Sequence, residues 1–523
     1  MTDQTETTSP LDNFDHVVVL MLENRSFDNL LGFLYEDGVP AGKSFAGLQD
    51  GNHSNPVPSR AIDAASHQQV NVEKAADYHQ PYPDPGETWP HVNTQLFNHV
   101  DPDNVGVDGA SMTSPYNLPT DAPAVPPMNG FVNDYINTNE ALLDKQVKYE
   151  QYSQIMQCFK PDQLPVMSAL AQNFAVFDHW FCSVPSQTWC NRAFWHTGTS
   201  GGELINPIGE GGHSVRNMWD WHKQVWHKKN LFDALAEQDI SWKIYAETVF
   251  SLTSAINGVI KNSSGHVVSD PDLSHELPFG FQHDLKHNSL PQYSFIEPRF
   301  IMAHNDQHPS TWNSKIFGKT DPGTVLRGEK LIYDVYTAIR NSPLRDKILL
   351  IITHDEHGGC FDHVAPPAAV PPVAGETGLD GFKFDRLGVR VPMIMVSSHI
   401  QPGTIINETH DHASFLKTMS LKWGFGSLTE RDRNAQDFSH VFSAQARSTD
   451  WPELTDPLPE GDVKSNYHDH PLSDLQKSIL AGAEHLLENQ QPDVLKRAGL
   501  KVRQEIETVK DAVDHLESMS KLL

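Results

Sequence analysis

Cysteine is scarce in this chain: 523 residues hold four, Cys158, Cys182, Cys190 and Cys360. They lack zinc-motif spacing and are too few for a disulfide framework, so neither a zinc-finger module nor a stapled scaffold is indicated. Positive charge is short as well. Lys+Arg number 39 against Asp+Glu 67, a formal net charge of −28, which excludes the basic footprint that nucleic acid requires. A phosphate-bearing substrate is not excluded, because a metal ion and a few Arg or His can make a local positive site on an acidic protein. No segment reaches the roughly 18 unbroken apolar residues of a membrane span. Met1 to Pro10 offer no basic n-region, apolar core or paired arginines, and this predicts a cytoplasmic protein, or a secreted or periplasmic one if the chain is processed.

What the chain does have is two strand-like runs that stop at acidic or amide side chains. His16 to Leu22 runs into Glu23-Asn24, and Ile348 to Thr353 leads to Asp355-Glu356. Continuous β-branched runs suit strands covered on both faces, as in a parallel sheet flanked by helices. Ligands of such sheets sit beyond the carboxyl ends of the strands. If the two strands are neighbours, three carboxylates and an amide converge on one crevice, a set of oxygen donors suited to a divalent cation.

The remaining pattern predicts an α/β scaffold with irregular insertions. A helix carrying Leu30, Leu31, Phe33 and Leu34 follows the first strand, and residues 38–127 read as a loop-rich excursion forming part of the site. Helices are expected at Pro165 to Asn173 and Val325 to Arg340. Strands are expected at Phe174 to Phe177, Trp242 to Tyr245 and Val391 to Val396. The division is a catalytic domain at 12–445 and a mainly helical extension at 446–523, its two helical blocks split at Gln491-Pro492, serving as a cap or an association surface.

A third element is Ser183 to Arg192, followed by an apparently helical Ala193-Phe194-Trp195-His196. A hydroxyl at a helix start faces unpaired backbone N–H groups and the positive end of the helix dipole, where a phosphate can bind. Metal contact would favour its alkoxide and make it a nucleophile. Thr188 is the candidate and Ser186 the fallback, with Asn191 and Arg192 one turn on, where a guanidinium could hold phosphoryl oxygens in a fork. Taken singly, an acidic strand end is ordinarily a solvated turn and a Thr at a helix start an N-cap.

These segments carry a resemblance. Glu23-Asn24-Arg25-Ser26-Phe27-Asp28 resembles the opening signature of the phosphoesterase family that includes non-specific phospholipases C and a group of acid phosphatases. Ser183 to Arg192 is similar to its nucleophile segment, with Cys190 in place of the usual proline, and Thr353 to Val364 is similar to its Asp-Glu-His-Gly-Gly block. Fainter likenesses occur at Tyr293 to Pro298, Asp306 to Pro309, Asp411 to Ser414 and Leu428 to Asp432. The resemblance implies an alkaline-phosphatase-like core with a largely parallel sheet. It implies Glu23, Asn24, Asp355, Glu356 and Thr188 as metal ligands, Thr188 also as nucleophile, and His308 and His91 as histidines of the phosphate pocket. The surroundings of His91 depart from the usual Asp-Pro-Gly-His pattern.

The expected chemistry is in-line attack by Thr188, a covalent phosphothreonine, charge stabilisation by the metal and Arg192, and protonation of the leaving alcohol by His308. Asn191, His357, Asp362 and His363 are placed on the substrate side, orienting ligands, with a plain Gly358-Gly359 turn as the other reading of the last three. The metal is calcium, magnesium, manganese, zinc or iron. The leading function is a phospholipase-C-type phosphodiesterase acting on a phospholipid or a choline or ethanolamine diester. Trp89, Trp180, Trp189 and Trp195 are candidates for an aromatic wall around a quaternary ammonium. The alternatives are an acid phosphatase and a non-catalytic scaffold homologue. Peripheral membrane contact and self-association through the C-terminal helices are the expected partner modes.

Overall fold

The computed structural model describes residues 9–49, 51–207, 218–248, 250–301, 303–309, 324–458, 472–490, 506 and 508–520. Its centre is an eight-stranded sheet built from β1 (His16–Leu22), β2 (Ala175–Phe177), β3 (Trp242–Ala246), β4 (Gly265–Ser269), β5 (Tyr293–Glu297), β6 (Ile348–His354), β7 (Met393–Val396) and β8 (Thr404–Ile406). The spatial order is β8-β2-β7-β6-β1-β5-β3-β4. All neighbours are parallel except β7, which runs antiparallel to both β6 and β2.

Every residue of β1 from Val17 to Leu22 is buried, as is all of β6. Side chains alternate between the faces of a strand, so both faces of the sheet centre are covered. Helices pack as pairs: α4 (Pro165–Asn173) with α7 (Val325–Arg340), and α5 (Thr188–Thr197) with α8 (His412–Trp423). Strand Met393–Val396 starts two residues later than the sequence suggests because Pro392 cannot donate to a ladder. The first helix, α1 (Phe27–Leu31), is also shorter than expected, ending before a C-cap at Gly32. Leu34 is buried in the turns that follow and Phe33 only partly.

The excursion at 38–127 is more ordered than its composition suggests. It contains α2 (Trp89–Phe97), which packs on α3 (Phe131–Leu143) in a satellite apolar cluster. In the C-terminal extension α9 (Asp474–Gln490) turns Leu475, Ile479, Ala483, Leu486 and Leu487 into a cluster with Trp189 and with Leu252, Ala255 and Ile256 of α6 (Leu252–Asn257). The apolar face of that helix is therefore occupied inside the chain. Residues Gln491-Pro492, where two helical blocks were expected to part, lie outside the described residues. No helix among the described residues is long and apolar enough to cross a membrane. All four cysteines are buried free thiols.

Candidate active site

Strands β1 and β6 are neighbours with Leu22 opposite His354, so Glu23-Asn24 and Asp355-Glu356 leave the sheet together at its carboxyl edge. All four side chains are fully buried. Asn24 adopts φ +56°, a left-handed conformation that Asn tolerates better than most residues, and its N–H donates to Asp355 Oδ1 at 3.1 Å. Across from it Gly358 sits at φ +62°, and a Cβ there would lie 2.0 Å from the Asn24 carbonyl oxygen. Only glycine permits that approach, which lets the Gly358 N–H donate to Glu356 Oε2 at 2.7 Å.

Helix α5 brings the hydroxyl. Thr188 Oγ1 donates to Glu23 Oε2 at 3.0 Å and lies 3.3 Å from Asn24 Oδ1. The turn ahead of it is pinned by Asn191, whose Oδ1 accepts from the Val184 N–H at 3.0 Å. Its Nδ2 donates to the carbonyls of Val184 and Ser186 at 3.0 and 2.8 Å. Arg192 Nε donates to Asp355 Oδ2 at 3.2 Å, while Nη2 is bonded to Glu23 Oε1 and reaches the carbonyls of Met21 and Leu22. One guanidinium thus locks both strand ends to the helix that carries Thr188.

The opposite wall comes from the segment just before α2 and the segment before α7. Asn24 Nδ2 donates to Glu87 Oε1 at 2.6 Å. The same oxygen lies 3.3 Å from His308 Nε2, and Asp84 Oδ1 lies 3.8 Å from His308 Nδ1. His308 is placed by Arg25, which donates from Nε to the Gln307 carbonyl at 2.7 Å. Gln307 in turn places Oε1 2.9 Å from His354 Nε2.

Negative charge exceeds positive charge here. Burial pushes Glu23 well above the usual carboxylate range against the pull of Arg192, and Asp355 and Asp306 add to the rise. Burial, then the charges of Glu87 and Asp355, do the same to Glu356. Glu356 Oε1 is buried without a hydrogen-bond partner. An orphaned carboxylate oxygen among further carboxylates and an amide oxygen is a donor set that fits a divalent cation.

Residues 14–426 match the Phosphoesterase family. The chain belongs to that family. Non-specific phospholipase C6 of Arabidopsis thaliana is 31% identical over 528 residues, covering 97% of this chain and 87% of its own. Non-specific phospholipase C3 of the same plant is 30% identical, covering 89% and 81%. Phospholipase C B of Mycobacterium tuberculosis (strain ATCC 25618 / H37Rv) is 28% identical, covering 83% and 79%. Among solved structures, a protein in the alkaline phosphatase superfamily from Vibrio parahaemolyticus aligns with a TM-score of 0.28 and 13% identity over 50% of this chain and 61% of its own. Murine ectonucleotide pyrophosphatase/phosphodiesterase 5 aligns at 0.31 and 9% over 54% and 95%. The phosphoesterase is a hydrolase of phosphoric esters, and its fold is the α/β class expected, with a mostly parallel central sheet.

Within this phosphoesterase the structure brings Glu23, Asn24, Thr188, Asp355 and Glu356 together, with His308 across from them. Other expectations are corrected. Asn191 has its amide fully engaged in the preceding turn, so it shapes the loop rather than meeting substrate. Arg192 commits Nε to Asp355 and Nη2 to Glu23, so it does not present an open fork, and only Nη1 is left buried without a hydrogen-bond partner. The Trp189 N–H at the helix start is taken by Asn206 Oδ1 at 2.9 Å. His357 Nε2 pairs with Gln95 Oε1 at 2.7 Å, and burial lowers its pKa to about 3, so it is a neutral prop.

Asp362 and His363 belong to a separate buried cluster. Arg390 donates to Asp362 Oδ1 at 2.9 Å and Asp28 Oδ1 at 2.8 Å, and His363 Nδ1 lies 2.6 Å from Asp28 Oδ2. His91 sits one turn into α2, its Nδ1 2.8 Å from Asp134 Oδ1. Asp134 and the Gly86 carbonyl also accept from Gln95 Nε2, at 2.8 and 2.7 Å, so Asp134 ties His91 to Gln95, and the charge of Glu87 also acts on His91. Gly86 leaves its space to that imidazole, since a Cβ would meet His91 Cγ at 2.2 Å. Trp89, Trp180, Trp189 and Trp195 are all core residues, at most 1% exposed, and form no wall around a cation.

Sequence reasoning missed Asp84 and Glu87. The signal was present: Asp84-Pro85-Gly86-Glu87 reads as the Asp-Pro-Gly-His pattern with Glu in the last place. His412, a lesser candidate from the Asp411 to Ser414 stretch, does bear on the site: its Nε2 lies 2.6 Å from the Asp355 carbonyl oxygen and steadies the turn that presents this carboxylate.

Proposed function

We propose that this phosphoesterase is a phospholipase-C-type phosphodiesterase acting through a covalent phosphothreonine at Thr188. The observation that carries this reading is the Thr188 hydroxyl, fully buried and donating to Glu23 in a pocket lined by Asn24, Asp355 and Glu356. Glu23, Asn24, Asp355, Glu356 and Thr188 would hold a divalent cation, which when bound favours the Thr188 alkoxide and offsets charge on the phosphoryl group.

Thr188 Oγ1 forms the bond to phosphorus as the bond to the leaving oxygen breaks, and Glu23 Oε2 is placed to accept the hydroxyl proton. His308 is the imidazole on the far side. Burial lowers its pKa, but the carboxylates Asp84 and Glu87 outweigh this and hold it well above the ordinary imidazole value. It is therefore a protonated donor for the leaving alcohol near neutrality. Water then displaces Thr188 and releases the phosphomonoester. Arg192 keeps Glu23 and Asp355 fixed during both steps.

The pocket also bears on the ester class. Asp84 and Glu87 flank His308, and an acidic wall of this kind opposes a dianionic monoester more than a monoanionic diester. The relatives named phospholipases C favour the same choice, with a phospholipid or a choline or ethanolamine diester as substrate.

Replacing Thr188 by Ala is expected to lower turnover on the order of 10⁴-fold or more. Rapid acid quenching with substrate labelled at phosphorus should leave label on Thr188 of the parent. Equal turnover by T188A, or a parent that hydrolyses aryl phosphate faster than aryl phosphorylcholine and dispersed phosphatidylcholine, overturns the reading.

A further inference from the structure

We propose that Arg390 is a positioning residue for hydrolysis: with Asp28 and Asp362 it clamps the two loops that leave the strand ends, and so sets the spacing between Glu23-Asn24 and Asp355-Glu356. This rests on the reading of those four residues as the working groups of the site.

Each strand end is fixed on its near side by the sheet, where Leu22 lies opposite His354. Beyond that pair the ladder stops, and the loops need other ties. Glu23-Asn24 is followed by Arg25-Ser26-Phe27-Asp28, and Asp355-Glu356 by a turn through Gly358 and Gly359 to Phe361-Asp362-His363. The two paths meet again. Ser26 Oγ donates to the Phe361 carbonyl at 2.5 Å, the Asp28 N–H to Asp362 Oδ2 at 3.1 Å, and the His363 N–H to Asp28 Oδ2 at 2.7 Å. Strand pairing at one end and these bonds at the other close a ring, with the four polar side chains of the site between them.

Arg390 holds the far side of this ring. It arrives from just ahead of β7 and takes one loop on each arm, Nε donating to Asp362 Oδ1 at 2.9 Å and Nη2 to Asp28 Oδ1 at 2.8 Å. Its Nη1 is anchored to the carbonyls of Ala46 and Asp178 at 2.8 and 2.6 Å, and its own carbonyl accepts from the Phe27 N–H at 3.1 Å. Asp28, Asp362 and Arg390 are all fully buried. Buried ion pairs are a weak source of stability, because desolvation offsets much of their attraction. A planar guanidinium does supply what apolar packing lacks, a fixed direction and spacing for two carboxylates.

The test uses the full chain. Mn²⁺ is titrated by calorimetry into chelator-stripped protein, and turnover of aryl phosphorylcholine is measured in saturating Mn²⁺ well below the melting temperature. Arg390→Lys keeps the charge but cannot fork to both carboxylates. It is expected to lower kcat on the order of 100-fold with KM within about threefold of the parent, and to weaken Mn²⁺ binding on the order of 10-fold. Asp362→Asn is isosteric and loses one bond of the clamp whichever way the amide lies. It should move both readings in the same direction by a smaller factor, and it carries the test if R390K does not fold.

Arg447→Lys controls for stability alone. Arg447 donates to the Asn173 carbonyl at 2.8 Å, just ahead of β2 at the amino edge of the sheet, so R447K should melt lower with parental kcat and Mn²⁺ affinity. Parental kcat and Mn²⁺ affinity in folded R390K or D362N overturn the proposal, as does a loss of the same size in R447K. The Mn²⁺ titration needs no turnover, which separates the two readings. A T188A chain as active as the parent overturns the phosphothreonine reading, while the Mn²⁺ affinities still decide the clamp; a parent that takes up no Mn²⁺ overturns the cation reading, and the kcat comparison then decides it.

Discussion

Arg192→Met tests whether the site is held together by charge neutralisation. The guanidinium is fully buried and bonds Glu23 and Asp355, while methionine fills similar space without charge. Removing one partner of a buried ion pair costs roughly 3–5 kcal/mol because the other is left uncompensated. Unfolding entropy of about 2.1 cal/mol/K per residue gives roughly 1 kcal/mol/K for a chain of this size, so the metal-free variant should melt about 3–5 °C below the parent. A cation at 100 times its dissociation constant contributes about 2.7 kcal/mol. Mn²⁺ should therefore raise the parent by about 2–3 °C, and raise R192M more, since two carboxylates have lost their competing guanidinium. Differential scanning calorimetry with and without Mn²⁺ reads both numbers. A metal-free R192M that melts with the parent, or a smaller metal shift in the variant, would refute the reasoning.

Glu329 accepts from the Val166 and Met167 N–H groups at 2.6 and 3.0 Å, and burial raises its pKa to about 7. The folded state then holds a proton the unfolded state has released, so this contribution is full below the ordinary carboxylate range and is lost as pH rises through about 7. Glu329→Gln should flatten the fall in stability over that window, measured by denaturant unfolding at stepped pH. Gly358→Ala places a Cβ against the Asn24 carbonyl and should cut kcat on the order of 100-fold. Its melting temperature should fall by only a few degrees, because the clash lies at the strand-end turn outside the sheet. Gly482→Leu drives a side chain into Trp189, since even a Cβ would lie 2.7 Å from its ring. It should cost about 1–3 kcal/mol and slow turnover through the residue next to Thr188; unchanged kinetics would show that α9 does not bear on the site.

The sequence by itself determined the scaffold and the chemistry-bearing set. Strands β1 and β6 were legible because residues buried on both faces leave an unbroken apolar run, and Glu23, Asn24, Asp355 and Glu356 because such runs end abruptly. Helices α4 and α7 were legible from apolar spacing alone. That β1 and β6 are adjacent, which converts two acidic strand ends into one pocket, was a tertiary fact, since pairing between residues over 300 apart leaves no local trace. The direction of polar side chains was likewise decided only in three dimensions. Arg192 turned to Glu23 and Asp355, Asn191 to its own turn, and Asp362 and His363 to Arg390, because each buried polar group takes the partner that the fold brings nearest. Asp84 and Glu87 stayed hidden in a proline-rich excursion until the chain ahead of α2 set them against His308, and with them came the excess of carboxylate over cation in the pocket.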